Sequence, residues 1–200
     1  MAFHPTEPYN ELPGLPPVED LETREVLKVS IQAHRALALL EGSLSRLPNP
    51  AVLLDSIGLQ EAKVSSEIEN IITTHDELYQ YAIADRPVES GATREVLHYK
   101  EALWKGYGEV RENGLLTTNL FVGLVQAIKQ NGSGIRTVPG TQIINDRTRE
   151  VIYTPPHGEA LIREKLQNLE QFLNLNDDSL DPLVKMAVAH YQFEAIHPFG

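Results

Sequence analysis

Apolar residues recur at three- and four-residue steps along most of this 200-residue chain, which is the spacing of one face of an α-helix. Segments rich in proline, glycine or asparagine separate the helical stretches and mark their starts and stops. The predicted helices cover residues 20–41, 60–84, 93–112, 118–130, 159–173 and 181–197. Because only one segment outside the predicted helices has strand-forming residues on both sides of a turn, the predicted fold class is an all-α bundle with one small β-hairpin.

The segment that departs from helical spacing lies between residues 141 and 154. Strand-forming residues at 141–144 and 151–154 predict two strands, and the polar run 145–150 predicts the turn between them. An isolated two-stranded hairpin leaves an unpaired edge. The pattern by itself does not decide whether this edge has a function or the hairpin is a plain connection.

Net charge and cysteine content exclude several functional classes. The formal net charge of −11 argues against nucleic-acid binding, which needs clustered Lys and Arg. The chain has no cysteine, which excludes disulfides and thiolate metal sites. No apolar run approaches the roughly 20 residues of a membrane helix, and Met1–Pro5 lacks a signal-peptide pattern. A cytoplasmic protein that binds neither nucleic acid nor membrane is expected.

The first 19 residues contain five prolines and are predicted to run extended. The sequence does not decide between a loose tail and an arm packed on the surface.

The last predicted helix ends at a histidine. Asp181 and Pro182 have the residue types of an N-cap and a first helical position, and Pro198 stops the helix because it has no N–H. The face predicted to point inward carries Leu183, Met186, Ala187, His190, Phe193, Glu194 and His197. His197 thus lies where a helix gives way to a loop, a place that suits chemistry. A core histidine before a helix-ending proline is the alternative.

The residues around His197 resemble the signature of the Fic family. Phe193-Glu194-Ala195-Ile196-His197-Pro198-Phe199-Gly200 is similar to the start of His-Pro-Phe-x-Asp/Glu-Gly-Asn-Gly-Arg, with Gly200 at the variable position. The Gly-Asn-Gly-Arg part is not within the 200 residues. The Fic core is therefore expected to be incomplete at its C-terminal end in this sequence.

A second motif supports the resemblance. Ser65-Ser66-Glu67-Ile68-Glu69-Asn70 is similar to the inhibitory-helix pattern Ser/Thr-x-x-x-Glu-Gly/Asn of many Fic proteins, with Ser65, Glu69 and Asn70 at the specified positions. Its location before the core is that of the second inhibitory class. The resemblance implies an N-terminal region at 1–105, which carries the inhibitory helix, and a Fic core at 106–200.

The resemblance implies a protein adenylyltransferase, which transfers AMP from ATP to a Ser, Thr or Tyr hydroxyl of a target protein. His197 would be the general base, because a hydroxyl is a poor nucleophile, and Pro198, Phe199 and Gly200 would support its loop. Mg²⁺ would bridge the ATP phosphates, and since its ligand would follow Gly200, no metal ligand is expected within 1–200. Glu69 would act as a brake by occupying the space of the γ-phosphate, and some relatives also use this glutamate to remove AMP.

The resemblance also implies that the hairpin is a flap, which docks the target protein by adding a strand to its edge. The docking residues would be Thr141, Gln142, Ile143, Ile144, Val151, Ile152 and Tyr153. The oligomeric state is left open, with a homodimer as one option.

Two alternatives stay open. Glu194 with His197, and Glu95 with His98, are Glu-x-x-His pairs on predicted helices, which is the spacing found in di-iron carboxylate bundles. Such a site also needs two further helical glutamates. The other alternative is a helical adaptor without chemistry, which predicts no labelling with radioactive ATP.

Overall fold

The computed structural model describes residues 4–44, 46–84, 90–176 and 180–200. Within these ranges the chain forms seven helices and one antiparallel hairpin. The helices are α1 (Arg24–Leu44), α2 (Pro50–Ile68), α3 (His75–Ala84), α4 (Gly91–Asn113), α5 (Thr118–Lys129), α6 (Glu159–Asn174) and α7 (Pro182–Ile196), and the strands are β1 (Ile143–Ile144) and β2 (Val151–Tyr153). The predicted fold class is confirmed. None of the described helices is long and apolar enough to cross a membrane.

The chain divides into two compact units, each assembled from separate stretches of sequence. Unit 1 comprises Met1–Ala36, Leu116–Thr118 and Gly134–Gly200, and unit 2 comprises Leu37–Leu115 and Asn119–Ser133. Unit 1 contains the hairpin, α6 and α7, whereas unit 2 contains α2, α3 and α4. The predicted division into 1–105 and 106–200 refers to family regions, and it stays a prediction.

The core of unit 1 forms where α6 packs against α7. The buried stripe of α6 consists of Ile162, Leu166, Leu169 and Phe172, as its three- and four-residue spacing predicted. Each such side chain contributes roughly 1.5–3 kcal/mol when it is fully buried. The helix begins after Gly158, whose φ of 99° favours a residue without a Cβ.

α7 has the predicted ends but not the predicted inward face. Asp181 accepts hydrogen bonds from the amide groups of Leu183 and Val184, and Pro182 is the first helical residue. Four residues of the predicted inward face are exposed, namely Met186, Ala187, His190 and Glu194. The buried residues are Val184, Ala189, Gln192, Ala195 and Ile196. The prediction was wrong because alanine and valine occur on both sides of this helix, so apolar spacing does not select one side.

The proline-rich N-terminal segment is a packed arm. Leu12 is buried. Asn168 of α6 accepts a hydrogen bond from the amide of Leu15 at 2.7 Å and donates one to its carbonyl at 2.9 Å. Gln192 of α7 donates to the carbonyl of Pro13 at 2.8 Å. Turns within the arm pair some of its backbone groups, such as the Leu12 amide with the Tyr9 carbonyl at 3.1 Å, so the arm is not extended throughout as predicted. Side-chain amides of the helices pair further backbone groups at Pro13 and Leu15.

The core of unit 2 forms where α2 and α3 pack against α4. Its buried cluster consists of Leu59, Ala62, Leu78 and Val96. Gly106 of α4 lies against Leu124 of α5. A Cβ at this position would come within 3.0 Å of the leucine side chain, so a larger residue would displace Leu124. The apolar spacing of α4 predicts that Trp104 and Tyr107 point inward, but 37% and 56% of their surface is exposed.

The predicted helix over 60–84 is in fact two helices. α2 begins earlier, at Pro50, because Asn49 caps it by accepting a hydrogen bond from a first-turn amide. After a non-helical segment, α3 starts with a capping box, in which Thr74 and Glu77 each accept a hydrogen bond from the other's amide at 3.2 and 3.4 Å. The prediction was wrong because no glycine or proline marks the break.

The ends of α4 depend on one serine and one glycine. The sequence predicts Thr93 as the N-cap, but the N-cap is Ser90, whose hydroxyl accepts a hydrogen bond from the Thr93 amide. Gly114 ends the helix with a φ of 72°, as predicted. The sequence also predicts a linker at 85–91 and an acidic loop at 174–179. Most of the linker, and residues 177–179 of the loop, lie outside the described residues.

Candidate functional site

His197 lies at the end of α7, where the backbone turns away from the helix. Its amide still donates to the carbonyl of Phe193 at 2.9 Å, which completes the last turn. Its φ and ψ are 46° and 62°, in the left-handed region that residues with a Cβ seldom adopt. The helix therefore stops before Pro198, as predicted. His197 is left-handed, however, rather than extended as is usual before proline.

An arginine from the segment before the hairpin binds this turn. Arg136 Nε donates to the carbonyl of His197 at 2.6 Å, and one Nη donates to that of Ile196 at 3.2 Å. The same Nη donates to the carbonyl of Pro156, and the Arg136 amide donates to that of Pro198 at 2.9 Å. Burial lowers the pKa of the guanidinium, but arginine remains charged at neutral pH. A positive charge therefore lies at the negative end of α7.

The hairpin supplies a further donor to the same helix end. The Tyr153 hydroxyl donates to the carbonyl of Ala195 at 2.8 Å. Burial raises the pKa of Tyr153 to about 12, so the hydroxyl keeps its proton at neutral pH. Tyr153 was predicted as a docking residue, and its docking role stays a prediction. The structure shows in addition that it fastens the hairpin to α7.

The hairpin is shorter than predicted. Ile143 lies opposite Tyr153 and Ile144 opposite Val151, with a register irregularity between the two pairs. Thr141 and Gln142 were expected in the first strand but precede it, since the pairing begins at Ile143. Three apolar side chains are exposed on the hairpin, namely Ile143, Ile144 and Ile152.

The remaining signature residues surround the turn at His197. Pro198 is fully buried. Phe199 is half-buried, and its ring centroid lies 6.1 Å from that of Phe193 in α7. Gly200 is exposed. Pro198 and Phe199 thus anchor the turn from the core side.

The second motif ends α2 in unit 2. Glu69 is the C-cap, and Asn70 follows it with a φ of 62°. The amide of Ile71 donates to the carbonyl of Ser66 at 3.0 Å, and that of Asn70 donates to Glu67 at 3.1 Å. These two bonds form a Schellman motif, which places a glycine or asparagine at the left-handed position. The helix end thus gives a physical reason for asparagine after Glu69.

The polar side chains of this motif make local contacts. The Ser65 hydroxyl donates to Glu61 at 2.7 Å, and Glu67 pairs with Lys63. Glu69 is exposed. Glu69 belongs to unit 2 and His197 to unit 1, so the brake stays a prediction that rests on the motif.

The N-terminal end of α7 is bound to α1 within unit 1. The Asp181 carboxylate and the His34 ring are joined by a hydrogen bond of 2.8 Å. The neighbouring Ser30 hydroxyl, the His34 ring and two amides of α7 stabilise the charged carboxylate and hold its pKa at about 2. Both ends of α7 are therefore fixed by side chains from other segments.

A groove of about 1060 Å³ in unit 1 lies between the N-terminal arm, α1 and α7. Apolar side chains line most of it, among them Leu12, Val26, Val29 and Val188. Neither His197 nor Arg136 is among its lining residues, so the groove is separate from the candidate site.

The described residues contain no group of three or more His, Asp or Glu side chains placed to hold a metal ion. The di-iron alternative, based on Glu95, His98, Glu194 and His197, therefore gains no support from the part of the chain that the structure describes.

Comparison with known families addresses the resemblance directly. Residues 27–108 match the family model described as Fic/DOC family N-terminal. The match supports membership of the Fic family. The Fic N-terminal region includes Ser65–Asn70, so the inhibitory-type motif lies within the matched range. The His197-Pro198-Phe199 signature lies outside it, which makes the two lines of evidence independent.

Sequence reasoning missed Arg136. All of its side-chain contacts go to backbone carbonyls at least 20 positions away, and no residue-type pattern reveals such contacts. The sequence holds one weak signal, because no Asp or Glu lies within nine residues of Arg136 on either side, although the chain is acidic. An arginine without a local ion-pair partner in such a chain is a candidate for a structural role.

Proposed function

We propose that this chain is part of a protein adenylyltransferase, which transfers AMP from ATP to a Ser, Thr or Tyr hydroxyl of a target protein. The Fic N-terminal match, the His197 signature and the Ser65–Asn70 motif support the proposal. The position of His197 is the observation that carries it. This half-buried histidine lies at a helix end whose backbone is bound by Arg136, in the same unit as the hairpin.

The reaction requires one base and one leaving group. The target hydroxyl oxygen attacks the α-phosphorus of ATP, an O–P bond forms, and the bond to the bridging oxygen breaks as pyrophosphate leaves. The hydroxyl proton passes to the imidazole of His197. A positioned base of this kind contributes typically ~10²–10⁴-fold to the rate. ATP enters as its magnesium complex, so the metal belongs to the substrate.

Glu69 is proposed as a brake in the same chain. By analogy with the resembled motif, its carboxylate pairs with the arginine that ends the Fic signature and occupies the space of the γ-phosphate. A triphosphate displaced in this way is not aligned for attack. Ser65 lies in the last turns of α2 and Asn70 follows its C-cap, so the two residues would hold Glu69 at the end of this helix. Use of the same glutamate for AMP removal stays open.

The hairpin is proposed to receive the target as an added strand. Each strand of a two-stranded sheet has one edge that is not paired within the sheet, and the target would pair with such an edge. Main-chain hydrogen bonds would supply affinity and ask little of the target's sequence. The exposed side chains of Ile143, Ile144 and Ile152 would contact alternate target residues. A cytoplasmic location and a homodimer stay predictions.

Transfer of label from α-³²P-ATP tests the proposal in the full gene product. Glu69→Gly should raise AMP incorporation, and His197→Ala should abolish it in both wild-type and Glu69→Gly backgrounds. His190→Ala, at an exposed histidine of α7, and Glu67→Gly, at an exposed glutamate of α2, are the matched controls.

Each outcome has a distinct meaning. Labelling that survives His197→Ala would refute the role of His197 as base. Equal labelling by wild type and Glu69→Gly would refute the brake. Absence of label in every folded variant would favour the non-catalytic adaptor.

A further inference from the structure

Four consecutive carbonyls, the last two of α7 and those of His197 and Pro198 just beyond it, accept hydrogen bonds from other segments. Tyr153 donates to Ala195, the Arg136 guanidinium donates to Ile196 and His197, and the Arg136 amide donates to Pro198. The last carbonyls of an α-helix have no partner within the helix, so such donors are needed. Three of the four bonds come from a single residue.

These bonds stabilise the backbone turn at His197, although the local sequence disfavours this turn. His197 has a Cβ and precedes a proline, and both features oppose its left-handed φ of 46°. A residue in this position prefers an extended backbone, which would rotate its Cα–Cβ bond. Contacts from elsewhere in unit 1 must therefore stabilise the observed conformation.

We propose that Arg136 is the positioning residue for His197. Its guanidinium and amide bind the carbonyls of residues 196–198, keep His197 left-handed and thereby set the direction of the imidazole. This inference rests on the proposed role of His197 as the base. Arg136 acts on the backbone of His197, so it is expected to affect the rate and not ATP affinity.

The geometry explains why the residue is an arginine. Its planar fork donates in two directions at once, to His197 through Nε and to Ile196 and Pro156 through one Nη. Its charge also complements the negative end of α7. A lysine keeps the charge but concentrates its donors at one point, so it cannot bind these carbonyls in the same arrangement.

Three substitutions in the full gene product, made in the Glu69→Gly background, test the proposal. Arg136→Met removes the donors at similar length, and Arg136→Lys keeps the charge alone. Arg163→Met is the control, since Arg163 is exposed on α6 and pairs with Glu159. The readouts are kcat, KM for ATP, thermal stability and the ring NMR signals of His197, assigned with His197→Ala.

Arg136→Met should lower kcat by about 100-fold, the loss expected for a base displaced by roughly 1 Å. KM for ATP should stay within about twofold, and the ring signals of His197 should shift. Arg136→Lys should recover part of the rate, and Arg163→Met should behave as its parent.

A folded Arg136→Met protein with parental kcat and unshifted His197 signals would overturn the inference. If that variant does not fold, Arg136→Lys decides, because parental kcat and His197 signals there would show that the fork is not required. Failure of the proposed function is separable, since it appears either as activity that survives His197→Ala or as no labelling in any folded variant. The NMR comparison then still reports whether Arg136 orients the ring.

Discussion

The left-handed conformation of Asn70 has a measurable consequence for stability. Its φ is 62°, and in this region a Cβ crowds the backbone at roughly 1–2 kcal/mol per residue. Asparagine reduces this strain through its side chain, and glycine avoids it. We therefore expect Asn70→Ala to lower the free energy of unfolding by about 1 kcal/mol. Asn70→Gly should leave it within about 0.5 kcal/mol of wild type.

Two measurements check this expectation. In urea denaturation, Asn70→Ala should lower the midpoint without changing the m-value. Hydrogen exchange should localise the effect to the Ile71 amide, which is bonded to the Ser66 carbonyl at 3.0 Å. A loss of about 1 kcal/mol corresponds to roughly fivefold faster exchange through local opening. Asn70→Gly should show no acceleration at this amide.

Gln126 provides the control, because it is exposed and lies in the interior of α5. There the order should reverse, with Ala at least as stable as Gln and Gly less stable by about 0.5–1 kcal/mol. If Asn70 shows this ordinary helical order, the left-handed end of α2 is refuted. The reason given for asparagine after Glu69 would then be lost as well.

Two pH dependences follow from the site. Burial raises the pKa of Tyr153 from 10.0 to about 12. The free energy of unfolding should therefore fall as pH rises from the lower to the higher of these values. Denaturant midpoints of Tyr153→Phe should fall less over the same pH range. The pKa of Asp181 is lowered to about 2 from 3.8, so its contribution is present above the higher value and lost as pH falls towards the lower. Asp181→Asn keeps the N-cap acceptor but has no proton to gain, so its free energy of unfolding should fall less than that of wild type over this acid range. An equal fall in both proteins would contradict the lowered pKa of Asp181.

The candidate site was predictable only in part. His197 and its helix-ending proline are adjacent in sequence, so their location at the end of α7 could be predicted from residue type alone. The hairpin was predicted as well, although its pairing is shorter and joins only Ile143–Ile144 to Val151–Tyr153. Arg136 could not be predicted, since it binds carbonyls, and every residue has one.

The sequence by itself determined the ends of several helices, because caps act within a few residues. Asp181 with Pro182, Gly158 and Gly114 each set a local backbone angle or hydrogen bond at a helix end. Only the tertiary structure decided which side of α7 is buried, since apolar side chains occur on both sides. It also decided that the N-terminal arm packs and that His197 is left-handed. These outcomes depend on donors and surfaces far away in the chain, whose contacts outweigh the local preference.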